Sequence, residues 1–409
     1  MSAGTVIIGA SHAGVTCAAA LREAGYTDRI LLVSEEEGIP CHRPPLSKGY
    51  MTGAVSADSL PLKSASFYQE DNIDLLTGVK VTAVNPGQKN VVLSNGKIVS
   101  YNYLVLATGS KPRPWHGADL PEHVYTLRTV QDASNIARRA ASLSGAVVVI
   151  GGGYVGLELA ATLRTHFKKE VHIVEMAPRL LRRAASAELS EYVAELHKKA
   201  GNFLHLSCPV KAINAGHKTT IDVVLHDDTV INAEMVILGT GIVPEQTLAG
   251  EAGLACQDGI VVDKFCKTSD EFIFAIGDCS RFPVAHHAQT LRLECVQNAM
   301  DQARVAASVI VGEAKEYAAV PWFWSDQLGV KFQTAGIIED GMTCVVRGEK
   351  SSGKYALFHF YSNGRLGAVE TINQPALHML ARRLLAAEIS PDMQQAGDVQ
   401  FDLKGLIGK

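Results

Sequence analysis

The sequence predicts an α/β chain. It reads as two dinucleotide-binding βαβ units, the second inserted into the domain that holds the first, followed by a small α+β segment. Three observations carry this. First, "TVIIGASHAGVTCAAALREAGYTDRILLVSEE" and "AVVVIGGGYVGLELAATLRTHFKKEVHIVEMAPR" follow one plan of strand, glycine turn, helix, strand and acid. Second, short strands ending in small residues recur at "YLVLATGS", "MVILGTGIVP" and "FIFAIGDCS". Third, the pattern changes after Glu316 to aromatic, β-rich segments ("VPWFWSDQ", "KFQTAGII", "YALFHFY", "GRLGAVETI") and a closing helix, "NQPALHMLARRLLAAE".

Each element has a local cause. Both opening strands are rich in β-branched and aliphatic residues, as suits a parallel strand buried on both faces. Both following helices are rich in alanine and leucine. The stretch "VQNAMDQARVAASVIVG" is spaced as an amphipathic helix. The expected boundaries are 1–112 and 245–316 for the first domain, 113–244 for the inserted one and 317–409 for the last. At 409 residues, two or three domains are expected.

Composition bounds the function. Apolar residues make up 47% and charged residues 20%, which is ordinary for a soluble globular chain. The net charge of -4 lacks the basic excess of a general nucleic-acid binder. The most apolar stretch, "GAVVVIGGGYVGLELAATL", is broken by Gly151, Gly152 and Gly153 and carries Glu158, so it reads as strand, turn and helix rather than a membrane span. The first strand begins almost at once, so no secretory signal is expected. Eight scattered cysteines show neither C-x-x-C pairs nor metal-cluster spacing. They read as reduced thiols in the cytoplasm, with no metal centre.

The second glycine turn is the more regular. Gly151, Gly153 and Gly156 fit G-x-G-x-x-G, with Tyr154 and Val155 opening the helix. The first glycine makes the turn, the second lets the backbone approach a pyrophosphate, and the third lets helix pack on strand. Glu175 ends the next strand. A carboxylate there accepts from a ribose 2′-hydroxyl and repels a 2′-phosphate, which favours NADH over NADPH. Arg179, four residues on, is the competing feature, because it could reach such a phosphate. The first turn has Gly9 and Gly14 in place, with Ala13 beside them, but Ser11 stands at the middle position; Glu35 supplies its acid. Two dinucleotide sites on one chain read most economically as one FAD and one nicotinamide. Gly277 and Asp278 in "FIFAIGDCS" suit a polyol such as a ribityl chain, although a plain strand-end turn would use the same residues.

Seven motifs in order, "RPPLSK", "ATGSKPR", "GGGYVGLE", "GIVPE", "AIGDC", "ECVQNAMDQAR" and "PWFWSDQ", carry a resemblance over nearly the whole chain. The chain resembles the FAD- and NADH-dependent ferredoxin reductases of oxygenase systems, within the glutathione-reductase-like superfamily. "RPPLSK" and "PWFWSDQ" are the most specific pieces. The resemblance implies two Rossmann-like domains and a small C-terminal α+β domain. It implies electron flow from NADH through FAD to a 2Fe–2S ferredoxin, or a rubredoxin-like carrier, serving a cytochrome P450 or an aromatic-ring dioxygenase. Lys48 is expected beside the reacting edge of the flavin, paired with Glu158 near the nicotinamide. Trp324 is expected beside the flavin on the path to the partner. The resemblance also places Arg43, Pro45, Val81, Ala107, Thr108, Gly109, Arg128, Glu294, Val296 and Gln297 at the flavin, and Gly241 with the nucleotide-binding residues. Arg304, Lys331, Arg382 and Arg383 are candidate docking charges for an acidic ferredoxin; each also reads as ordinary solvated surface. No membrane partner is expected, and the assembly state expected is a monomer or weak homodimer.

Cys41 departs from the family, which usually carries an aromatic there. The position that a second thiol would occupy is Leu46, so a local dithiol is excluded. A single-cysteine enzyme stays open, as in NADH oxidases, NADH peroxidases and coenzyme A disulfide reductases, because His42 and Arg43 could favour a thiolate. A monodehydroascorbate-type reductase and an interaction protein on a flavoprotein scaffold also remain. The main reading makes Cys41 a small residue packed on the adenosine side of the flavin.

Overall fold

A computed structural model describes residues 4–116, 119–284 and 290–407. The chain divides into two compact units. One comprises Met1–His42, Ala57–Lys111 and Ile242–Pro321; the other comprises Arg43–Ser56, Pro112–Gly241 and Trp322–Lys409.

In the first unit the strand Gly4–Ile8 is buried at every position and pairs in parallel with Ile30–Val33 and with Ile98–Leu106. The sheet extends to Ile73–Leu76 on one side, and Ile273–Ala275 joins it beside Ile98–Leu106. An antiparallel ribbon, Val81–Asn85 with Asn90–Leu93, hangs from the end of the long strand. The helices His12–Glu23 and Val296–Ile310 cover the sheet. Their small residues, among them Ala18, Ala303, Ala306 and Ala307, pack in one core with Ile7, Leu32 and Val105. Alanine on these faces lets the helices lie close to the sheet and to each other.

The second unit repeats the plan. A parallel sheet runs Phe203–His205, Val171–Val174, Val147–Ile150, Met235–Leu238, Val124–Tyr125, and Tyr154–Thr165 is the helix that follows its glycine turn. Three short antiparallel strands, Val210–Ala215, Ile221–Leu225 and Val230–Ala233, fill a further core with Ile213, Val223 and Ile231. The C-terminal segment is the expected antiparallel sheet, in the order Trp322–Gln327, Val330–Gly336, Leu366–Ile372, Tyr355–Phe360, Thr343–Arg347. The last of these strands was not foreseen. Its sequence, TCVVR, is short and half exposed, so it lacks the alternation that marks the others. The helix Pro375–Ala386 packs on this sheet through Leu380, Ala381 and Leu384. No helix among the described residues is long and apolar enough to cross a membrane.

Candidate functional site

The two glycine turns are built by the same backbone constraint. Gly9 and Gly151 adopt φ of +105° and +110°. A Cβ on Gly9 would lie 2.1 Å from the Ala107 carbonyl oxygen, and one on Gly151 would lie 2.2 Å from that of Gly239. Both neighbours are backbone, so neither turn has room for a side chain. Gly14 and Gly156 close the turns: a Cβ there would meet the Gly9 or Gly151 oxygen at 1.9 or 2.4 Å. Gly153 differs, since a Cβ there would meet nothing within 4 Å. Its place is held open in front of the chain, which is what close approach of a pyrophosphate requires. Ser11 is extended (φ -117°, ψ -158°), so a serine sits there without strain. Among the described residues neither following helix carries an acid in its first turn, leaving the positive helix ends for a phosphate. Both turns therefore fit a dinucleotide.

The acids that follow are held differently. Glu175 accepts from the backbone amides of Gly152 (2.7 Å) and Ala177 (2.7 Å), which fixes its carboxylate at the mouth of the turn. Glu35 is 66% exposed, with Lys80 at 3.7 Å. Arg179 is turned inward. Its guanidinium donates to the carbonyls of Ala185, Ser186 and Arg182, so three of its five N–H groups are held by backbone.

The other flavin candidates of the first unit gather at the ends of its strands. Ala13 and Gly277 touch: a Cβ on Gly277 would lie 3.1 Å from that of Ala13. Asp278 accepts from Ser110 at 3.1 Å. Ala107 is buried after the long strand, Thr108 donates to the Glu245 carbonyl at 2.6 Å, and Gly109 continues with positive φ. Glu294 pairs with Arg292, and Val296 opens its helix behind Cys295. Val81 is buried in the antiparallel ribbon. Sequence reading missed Gln302. Its buried Oε1 accepts from the Gly277 amide (2.7 Å) and the Ser280 hydroxyl (2.8 Å) and so fixes the turn that presents Asp278. Cys41 is half-buried, with Sγ 3.0 Å from the Ile39 carbonyl oxygen, and the His12 and His42 rings lie 5.4 Å apart nearby in the chain.

In the second unit the expected Lys48–Glu158 pair is present. The Lys48 Nζ to Glu158 Oε2 distance is 2.6 Å. "RPPLSK" folds as a single 3-10 turn, Pro44–Ser47, because the proline pair presets φ. The turn aims Lys48 at the helix Tyr154–Thr165. On that helix Tyr154, Glu158 and Thr162 recur every four residues and so share one face. Thr162 donates to the Ser47 carbonyl at 2.8 Å and locks the turn to the helix. Glu158, only 6% exposed, also accepts from Ser47 Oγ (2.5 Å) and from Ser325 Oγ on its other oxygen (2.6 Å). Lys48 keeps 24% of its side chain exposed, so the pair is desolvated from the Glu158 side only.

The strand Trp322–Gln327 presents two faces, as its period of two requires. Phe323 meets the Tyr154 ring at 4.5 Å on the inner face, with Ser325 and Gln327 buried beside it. Burial pushes the Tyr154 hydroxyl up in pKa, and Thr334 hydrogen-bonds it. Trp322 and Trp324 form the other face, 5.5 Å apart. Arg382 stacks on Trp322 at 4.5 Å and His378 meets it edge-on at 5.6 Å. Of the other docking candidates, Arg304 is paired with Asp301 and Lys331 with Asp326, while Arg383 is exposed. Arg43 donates to the Arg128 carbonyl, Pro45 lies in the 3-10 turn, Val155 is exposed, and Gly241 has positive φ with Arg183 3.3 Å from where its Cβ would be. Ser325 and Gln327 lie inside the "PWFWSDQ" motif, but nothing in the sequence marks a role for them, nor for Ser47 and Thr162.

Comparison with known proteins agrees with this layout. Residues 4–303 match the model of pyridine nucleotide-disulphide oxidoreductases, and residues 322–407 match the reductase C-terminal family. Rhodocoxin reductase of Rhodococcus erythropolis is 41% identical over 99% of this chain and 94% of its own length. The crystal structure of a ferredoxin reductase from Rhodopseudomonas palustris is 37% identical, with TM-score 0.93, over 98% of this chain and 99% of that one. The reductase in a covalent putidaredoxin reductase–putidaredoxin complex is 35% identical, with TM-score 0.95, over 100% of this chain and 98% of that one. With its paired glycine turns, its Lys48–Glu158 pair and its two family matches, the chain belongs to the pyridine nucleotide-disulphide oxidoreductases that carry a reductase C-terminal domain.

Proposed function

We propose that this protein is a FAD-dependent NADH:ferredoxin reductase, delivering electrons to a 2Fe–2S ferredoxin that serves an oxygenase such as a cytochrome P450 or a ring dioxygenase. The observation that carries the reading is the Lys48–Glu158 pair at 2.6 Å, on the helix that leaves the second glycine turn. FAD, when bound, supplies the exchange between two-electron transfer from a nicotinamide and one-electron delivery to a carrier.

The residues of this chain divide the work. In the first unit Gly9, Ser11, Ala13 and Gly14 would hold the FAD pyrophosphate, and Glu35 its ribose. Gly277 and Asp278 would hold the ribityl chain, with Val81, Ala107, Thr108, Gly109, Glu294 and Val296 lining the flavin. In the second unit Gly151, Gly153, Tyr154, Val155, Gly156 and Gly241 would hold NADH, with Glu175 on its adenosine ribose. Arg43, Pro45 and Arg128 would serve the flavin. Lys48 offers positive charge where electrons arrive, and Glu158 holds the ammonium in place and orients the carboxamide. Trp324, on the face of its strand opposite Ser325 and Gln327, serves the transfer to the ferredoxin. The domain division 1–112, 113–244, 245–316 and 317–409, a cytoplasmic location and a monomer or weak homodimer belong to the same proposal.

The test is NADH-driven cytochrome c reduction by the purified yellow protein, with and without a panel of 2Fe–2S ferredoxins, for wild type and Cys41→Ser. Strong ferredoxin dependence in both is expected. Turnover that ignores every ferredoxin and dies in Cys41→Ser would replace this reading with thiol chemistry.

A further inference from the structure

Behind Glu158 runs a buried chain of side chains that the reaction as described does not use. Ser325 Oγ lies 2.6 Å from Glu158 Oε1, Gln327 Nε2 lies 3.0 Å from Ser325 Oγ, His197 Nε2 lies 3.1 Å from Gln327 Oε1, and Asn202 Nδ2 lies 2.9 Å from His197 Nδ1. Their exposures are 0% for Ser325, 2% for Gln327, 0% for His197 and 4% for Asn202, so bulk water does not compete for these bonds.

The position of His197 is itself informative. It lies on the helix Ala187–Lys199, where Leu189, Val193 and His197 recur every four residues on the buried face. The first two are aliphatic. An imidazole at the third place must have both nitrogens satisfied to be tolerated, and here both are.

The donors can be assigned from one end. As a carboxylate, Glu158 only accepts, so the Ser325 hydroxyl must donate to it. The oxygen of Ser325 then accepts, and Gln327 must face it with its NH2. The Gln327 carbonyl therefore faces His197, whose Nε2 must carry the proton. His197 Nδ1 is then the acceptor for Asn202. Every bond points the same way, toward Glu158. Burial, opposed by the hydrogen bond to Gln327, holds the His197 pKa below its ordinary value, in keeping with the neutral ring that this assignment requires.

We propose that His197 is a positioning residue for Glu158, acting through Gln327 and Ser325. The proposal rests on the reading above that Glu158 serves the nicotinamide. Ser47 and Lys48 both bind Oε2, whereas Ser325 is the donor at Oε1, so the torsion of the carboxylate about Cγ–Cδ is held from both sides. The Ser325 bond supplies the Oε1 side, and it persists only while the hydroxyl hydrogen stays aimed. Gln327 aims it, and His197 fixes which way the Gln327 amide faces. The helix Ala187–Lys199 thereby sets the plane of a carboxylate that it does not touch.

Two measurements on the holoenzyme test this. Nitrogen-15 NMR of histidine-labelled protein at neutral pH is expected to show His197 protonated at Nε2 and bare at Nδ1. The opposite tautomer would overturn the assignment. Single-turnover flavin reduction by NADH is then followed in His197→Leu, His197→Gln, Ser325→Ala and the double variant His197→Leu/Ser325→Ala. Both His197→Leu and Ser325→Ala are expected to slow reduction by about tenfold with NADH affinity unchanged, because only orientation is lost. The double variant is expected to be no slower than Ser325→Ala, since the chain is already cut. His197→Gln, which can still donate to the Gln327 carbonyl, is expected within about threefold of wild type. Multiplying effects in the double variant, or a Gln variant as slow as the Leu variant, would sink the proposal. Should His197→Leu fail to fold, Gln327→Leu takes its place, cutting the same chain one residue nearer Glu158: a rate equal to that of Ser325→Ala is expected, and a wild-type rate would sink the proposal. If NADH does not reduce the wild-type flavin at all, the functional reading has failed instead, and the tautomer still tests the chain.

Discussion

A Cβ on Gly9 would stand 2.1 Å from the backbone oxygen of Ala107; a Cβ on Gly151 would stand 2.2 Å from that of Gly239. The two glycine turns thus share one backbone solution, imposed by a helix that must leave a buried parallel strand at close quarters. They part company at the middle position and at the acid. Gly153 faces open space where the first turn has Ser11, and Glu175 is pinned by two amides where Glu35 stands exposed near Lys80. A fold dictates the shared features; the ligand's chemistry is free to set the others. On the proposed assignment, the second turn would present a preset acceptor for a ribose, which suits a cofactor that enters and leaves in every cycle. The first leaves its acid to be ordered by whatever stays bound.

The largest effect should come from the shared feature. Gly9→Ala and Gly151→Ala each force an L residue to positive φ against backbone, with strain of about 1–3 kcal/mol before the clash is counted. Gly9→Ala is expected to yield colourless or insoluble protein. Gly151→Ala is expected to stay yellow yet lose at least about 100-fold in kcat/KM for NADH. Equal flavin loss in both, read from the absorbance ratio of the purified proteins, would break the assignment of one cofactor to each turn.

Lys48→Ala touches neither turn. It should slow single-turnover flavin reduction by about 10- to 100-fold while leaving flavin content unchanged. An unaltered rate would remove Lys48 from the site.

Next in size, Glu175→Ala should reduce the preference for NADH over NADPH, as a ratio of kcat/KM values, by about tenfold, while Glu35→Ala leaves that ratio alone. Arg179, held by three backbone carbonyls, is expected to add no preference for a 2′-phosphate, so Arg179→Ala should leave the ratio unchanged. An unchanged ratio in Glu175→Ala would show that the pinned carboxylate is structural.

The smallest effects sharpen the middle position. Ser11→Gly should alter flavin retention by less than about twofold, because the serine is already unstrained there. Gly153→Ser should leave Tm within about 1 °C and raise KM for NADH by about three- to fivefold, since the added atoms meet ligand rather than protein. A large fall in Tm would mean that the open space is filled by the protein's own chain.

The glycine turns, both parallel sheets and the aromatic C-terminal sheet were legible because each rests on a local pattern: a period, a breaker, an acid at a fixed distance. Lys48 and Glu158 were paired only through the resemblance, as 110 residues separate them and no spacing rule joins them. The motif "PWFWSDQ" contains Ser325 and Gln327 without marking what they do, and His197 lies in no motif at all. A serine, a glutamine and a histidine read as surface until packing buries them, and their meaning lies in hydrogen-bond direction, which no sequence period encodes. The strand Thr343–Arg347 escaped for the opposite reason, being too exposed to alternate. Gln302 lies in a stretch spaced as a helix, but its grip on the Gly277 amide depends on a turn 25 residues away.

The strand Trp322–Gln327 lies at the edge of its sheet and carries tryptophans on one side, Ser325 and Gln327 on the other. A slip of one residue would set Trp324 against Glu158 and turn Ser325 outward. In register, however, the two sides can be rewritten separately. On the role proposed for Trp324, a redesigner seeking a different redox partner would vary Trp324 and keep Trp322, which packs against the core of the C-terminal sheet, while Ser325 on the opposite side still holds the carboxylate.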